Sequence, residues 1–143
     1  MSAADPFDLN RFVAAQAPVY GDAVAELSAG GKASHWMWFV FPQLKGLGES
    51  SMASHYGIGS KAEARAYWLH PVLGPRLKEC ADLVLAARSS ATASTMFGYP
   101  DDLELCSCMT LFAAVAPEEP VFGQVLERFY GGVPDASTLA LLS

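Results

Sequence analysis

SHWMWFVFPQ, residues 34–43, is the stretch whose reading decides the fold. An unbroken apolar run fills residues 36–42, bounded by His35 on one side and Gln43 on the other. Aromatic and β-branched side chains favour a strand, yet the polar/apolar alternation of a half-buried strand is missing. A short continuous apolar run is compatible with a buried strand or a buried helix, and periodicity alone does not separate them. The rest of the chain decides. Period-two alternation is absent nearly everywhere else, and one strand makes no sheet. The segment therefore reads as helix, and the chain as all-α.

Proline and glycine punctuate that reading as helix starts and stops. Asp5-Pro6 has the form of an N-cap and a first helical proline, with Leu9, Phe12 and Val13 on one face behind it. Pro18 opens a second helix that Gly30-Gly31 closes. Ser60-Lys61-Ala62-Glu63 has the pattern of a capping box. Pro71 opens a helix with the apolar stripe Leu73, Leu77, Cys80, Ala81 and Val84. Pro100 precedes three acids, Asp101, Asp102 and Glu104, where a helix dipole favours negative charge. Pro120 and Pro134 open two more. The pattern predicts one domain over residues 1–143, built of about seven short helices joined by short loops.

Composition narrows the function. The chain has 143 residues, 52% hydrophobic and 17% charged, which is too apolar for disorder. A net charge of −6 argues against a nucleic-acid partner held by phosphate neutralisation. The start, MSAADPFDLN, shows no signal peptide, and no apolar run approaches the roughly 20 residues of a membrane span. Three cysteines without a C-x-x-C pair give neither a disulfide framework nor a zinc set, so no metal or cofactor is expected. Reduced thiols suit a cytoplasmic protein.

SHWMWFVFPQLKGLG, together with HYGI, HPVLGPRL and SCMTLF, resembles the bacterial domain-of-unknown-function family 1810, sometimes given the label calpastatin. The resemblance runs from DPFDLNRF to the last helix. It implies a small, helical, cytosolic bacterial protein with no established activity. The family usually carries a lysine shortly before SCMTLF, as in K-L-x-S. This chain has Glu104 there, which removes any role for a cation at that place. The calpastatin label fits poorly. A calpain inhibitor of that kind is disordered, polar and highly charged, the reverse of this composition.

Candidate site residues follow from polar groups set in apolar surroundings. His35 is expected to be largely buried and to border a cavity, beside Trp38. Its expected partners come from Tyr56, His70 or Ser107. Gln43 ends the apolar run and reads as the polar edge of a pocket, with Tyr56 as a wall. The loop before Ser60, with Lys61 in the helix it opens, suits an anion. His70 and Arg76 form a second polar cluster. Ser107, with Asp102 and Thr110 on one helix side, could contribute a hydroxyl, though the sequence elbow of a serine hydrolase is missing. Together these point to a pocket for a small, anionic metabolite, with no reaction class supported. The alternative is an interaction module or homo-oligomer that exposes an aromatic patch over residues 36–41.

Overall fold

The computed structural model describes residues 4–143. It is helical, with no strand among the described residues and a single isolated parallel bridge between Leu44 and Ile58. In chain order the helices are α1 (Asn10–Gln16), α2 (Tyr20–Ala29), α3 (Met37–Val40), α4 (Ser51–His55) and α5 (Lys61–Leu69). There follow α6 (Leu73–Leu85), α7 (Ala93–Phe97), α8 (Asp101–Val115), α9 (Val121–Tyr130) and α10 (Ala136–Leu142). The expectation of about seven is thus corrected to ten among the described residues. Two of the extra helices, α4 and α7, are five residues long. Such a length holds little more than one turn, so no 3.6-residue pattern develops. Only their caps betray them. Ser50 accepts from the Ala53 N–H, and Thr92 and Thr95 cap each other.

The decisive segment is helix for one turn only. Pro42 disfavours helical backbone in the residue before it, and Phe41 leaves the helix at φ −121°, ψ 71°. The chain then runs extended. The Lys45 N–H donates to the Ile58 carbonyl (2.8 Å) and the Ile58 N–H to the Gln43 carbonyl (2.9 Å).

One core holds the helices together. α8 is central, with Leu105 and residues 107–112 all buried. A helix buried nearly all round must satisfy its polar side chains internally. Thr110 does so by donating to the Cys106 carbonyl at 2.8 Å. Tyr67 and Phe122 pack on Phe112 at 5.4 and 5.7 Å between ring centroids. Gln16, 1% exposed, donates to the Phe39 carbonyl (2.6 Å) and to the Tyr67 hydroxyl (3.0 Å), and accepts from Arg76 (3.3 Å). That amide joins α1, α3, α5 and α6 at one buried point.

The start of the chain departs from its reading. Asp5 accepts from the Leu9 and Asn10 N–H groups, so the helix begins at Asn10 and not at Pro6. The capping box at Ser60 forms in a shifted version. Ser60 accepts from the Glu63 N–H at 3.1 Å, while Glu63 reaches past Ser60 to the Gly59 N–H at 3.0 Å.

Candidate functional site

The tryptophan-rich segment is hung from α2 by one carboxylate. Glu26 Oε1 accepts from the N–H groups of Ala33 (2.7 Å) and Ser34 (2.9 Å) and from the Trp36 indole (2.9 Å). Its Oε2 accepts from the Ser34 hydroxyl at 2.6 Å. Burial by itself would raise the pKa of this group. The hydrogen bonds from Ser34, Ala33 and Trp36 outweigh it and hold the carboxyl at about 2. The grip fixes which side chains face inward. Trp36, Met37, Phe39, Val40 and Phe41 are all buried.

Two expectations are corrected here. The expected exposed aromatic patch over residues 36–41 is reduced to one ring: Trp36, Phe39 and Phe41 are core, and Trp38 is half-buried. His35 is not buried either. It is exposed, and it stacks along the half-buried Trp38 ring at 6.4 Å. The physical reason is simple: a bend that sends Trp36 inward sends its polar neighbour out.

Trp38 and Gln43 do line a cleft, of about 440 Å³. Its opposite wall is the start of α8, with Leu103, Glu104 and Ser107, and its floor reaches Asp135. Tyr99 stands on the rim, 82% exposed. The Leu44–Ile58 bridge sets Gln43, and the dense packing of α8 sets Glu104.

Glu104 is the chemically unusual member. Its Oε2 is closed off from solvent and has no hydrogen-bond partner. Burial, reinforced by the Asp101 carboxylate and opposed by the Lys32 ammonium, raises its pKa from the ordinary 4.5 up to about 8. The acid form therefore dominates at neutral pH. Lys32 does not neutralise it, being committed to Asp101 at 2.8 Å.

Ser107 sits beside this carboxyl in a hydrogen-bonded chain. Its hydroxyl lies 3.1 Å from Asp135 Oδ2 and 3.2 Å from the Leu103 carbonyl. The same Oδ2 accepts from the Thr138 N–H (2.9 Å) and hydroxyl (2.6 Å), and the Asp135 N–H donates to Thr110 (2.8 Å). Asp102, the acid expected beside Ser107, instead accepts from the Leu103 N–H. Ser107 has no histidine among its partners, so a nucleophile–base pair is not assembled. Cys106 is half-buried and Cys80 and Cys108 are buried. Burial raises the pKa of each, that of Cys80 to about 12, which keeps these thiols protonated.

The remaining candidates lie elsewhere. Tyr56 packs between Phe39 (5.2 Å) and Phe12 (5.9 Å) as a half-buried prop of the core. Ser60 and Lys61 border a separate hollow of about 270 Å³ with Lys45. The expected His70–Arg76 cluster divides between different neighbours. His70 Nδ1 accepts from the N–H groups of Val72 (3.1 Å) and Leu73 (3.3 Å), capping α6, while Arg76 lies over the Tyr20 ring at 4.8 Å. The sequence reading missed Asp135 and Tyr99 as cleft residues and saw Glu104 only as a departure from a family pattern. Among the described residues no group of three or more His, Cys, Asp or Glu could hold a metal ion. No helix there is long and apolar enough to cross a membrane.

Fold and cleft together define an all-helical domain with a partly buried, unpartnered acid at the edge of a polar cleft. The family model for a protein of unknown function (DUF1810) matches residues 6–142, and the chain belongs to that family. Among solved structures it is similar to the conserved hypothetical protein Rv1873 from Mycobacterium tuberculosis. The two are 56% identical, with a TM-score of 0.95, over 96% of this chain and 98% of that one. No curated protein matches the chain.

Proposed function

We propose that this protein binds a small molecule in the cleft between Trp38 and Glu104. The observation that carries the reading is the Glu104 carboxyl, which lines the cleft with one oxygen buried and unpartnered. Such an atom forfeits about 1–3 kcal/mol of hydration. Buried polar groups are nearly always paired, so this exception marks the wall of the cleft as polar and under-satisfied, and an occupant meets Glu104 on the part of its side chain that is still exposed. Trp38 offers a ring and Gln43 an amide on the facing wall, the mixture of apolar surface and few polar groups that small-molecule sites share.

Thermal-shift screening of a metabolite library tests this. A ligand at a hundred times its Kd stabilises the folded state by about 2.7 kcal/mol. A hit should raise the Tm of the wild type and lose most of that effect in Gln43→Ala. A library without hits, or hits indifferent to Gln43→Ala, rejects the cleft.

A second reading places an anion at the start of α5, where Lys45 and Lys61 border the smaller hollow. It is weaker, because the Gly59 and Glu63 N–H groups are already taken by Glu63 and Ser60.

A further inference from the structure

We infer that the occupant of the Trp38–Glu104 cleft carries a positive charge, as a small organic ammonium or guanidinium. The inference rests on the cleft being a binding site and assigns its ligand class. A partner for Glu104 could be an acceptor, met by the protonated carboxyl, or a cationic donor, met by the carboxylate. The surroundings choose between them. Among the described residues the cleft is lined by Glu49, Glu104 and Asp135 and by no lysine, arginine or histidine. An anion entering there would meet carboxylates without a counter-charge. The ammonium that acts on Glu104, Lys32, is 10% exposed, paired with Asp101 and seated over Trp36. Asp135 concentrates its hydrogen bonds from Ser107 and Thr138 on Oδ2. The aromatic rings of Trp38 and Tyr99 suit a cation as well, since a ring face attracts positive charge.

Charge balance fixes the proton. A cation docking against the neutral acid drives Glu104 to its carboxylate, and the released proton goes to solvent. Binding should therefore strengthen with pH up to about 8, close to ten-fold per unit while the acid form dominates. The groups around Glu104 that shape this dependence are Asp101, Lys32, Glu49, Asp135 and Cys108, with His35 one ring further out against Trp38.

The test uses three probes of one shape and different charge: benzylammonium, benzyl alcohol and phenylacetate. Each is titrated into the full chain at roughly physiological ionic strength, where diffuse attraction to a net charge of −6 is screened. The indole N–H signal of Trp38 is followed by NMR, assigned with Trp38→Phe. Benzylammonium should shift that signal saturably, with Kd falling about ten-fold between pH 6 and pH 7 and rising at least ten-fold in Glu104→Gln. Stronger binding of phenylacetate or benzyl alcohol at Trp38 overturns the cation assignment and leaves the cleft standing. Benzylammonium binding that ignores Glu104→Gln overturns the assignment too. If no probe moves Trp38, both the assignment and the cleft fall.

Discussion

Replacing Glu104 by glutamine should stabilise the protein, by an amount set by pH. A folded-state pKa of about 8 against an ordinary 4.5 means that ionising this carboxyl opposes folding. At about 1.36 kcal/mol per pH unit, the full difference is about 5 kcal/mol. The side chain is only partly buried and keeps some hydration, so about 2–4 kcal/mol should be measured. The sign follows from linkage. The folded pKa is raised, so the group's contribution is intact below pH 4.5. It declines as pH rises and is fully lost above pH 8. The glutamine amide of the variant cannot ionise and escapes that loss. Urea denaturation of wild type and Glu104→Gln from pH 4 to pH 9 reads the effect directly. The curves should nearly coincide at pH 4, separate through neutrality and run parallel above pH 8. Curves that stay parallel over the whole range would show that Glu104 titrates normally, and the buried-acid argument would fail with it.

Four other substitutions probe the frame. Gly74→Ala should cost about 1–3 kcal/mol or prevent folding, since a Cβ there would lie 2.0 Å from the Trp68 carbonyl oxygen; a melting temperature like the wild type's would refute the close approach. Ser60→Ala should cost about 0.5–2 kcal/mol by removing the cap of α5, and an unchanged denaturation midpoint would mean the helix starts elsewhere. Glu26→Ala should cost about 1–2 kcal/mol after solvent screening, and its carboxyl, held down at about 2, should support the fold above pH 4.5 and release the loop only as pH falls toward 2; tryptophan fluorescence that is insensitive to both changes counts against it. His35→Ala should stay within about 0.5 kcal/mol of wild type because the ring is exposed, and a large loss measured by calorimetry would return His35 to a structural role.

The sequence carried the long helices because each buries a stripe. Leu73, Leu77, Cys80, Ala81 and Val84 recur at helical spacing and are all buried in α6. The caps carried their chemistry as well, and Ser60 accepts the bond its pattern implied. The site was less legible for two reasons. Direction is lost first: that residues 36–41 are apolar shows that most of them are buried, but whether His35 turns in or out depends on Glu26, several residues upstream. Assembly is lost second. The cleft joins Trp38 and Gln43 to Glu104 and Asp135 across long intervals, and no local spacing records that meeting. Glu104 sat in the first turn of a helix, where an exposed acid is ordinary; only the packing of α8 made it unusual.

Helix α1 has its anchors far ahead of it in the chain. Arg11 donates to the His55 and Gly57 carbonyls and pairs with Glu63 at 2.7 Å, and Gln16 waits for Tyr67 and Arg76, the latter 60 residues on. During synthesis α1 thus leaves the ribosome well before the segments that hold it, and α2 waits as long, since Tyr20 meets Cys80, 60 residues on. A nascent chain that stops short of residue 76 leaves the Gln16 amide without its full set. Helix α1 is made early and locks late.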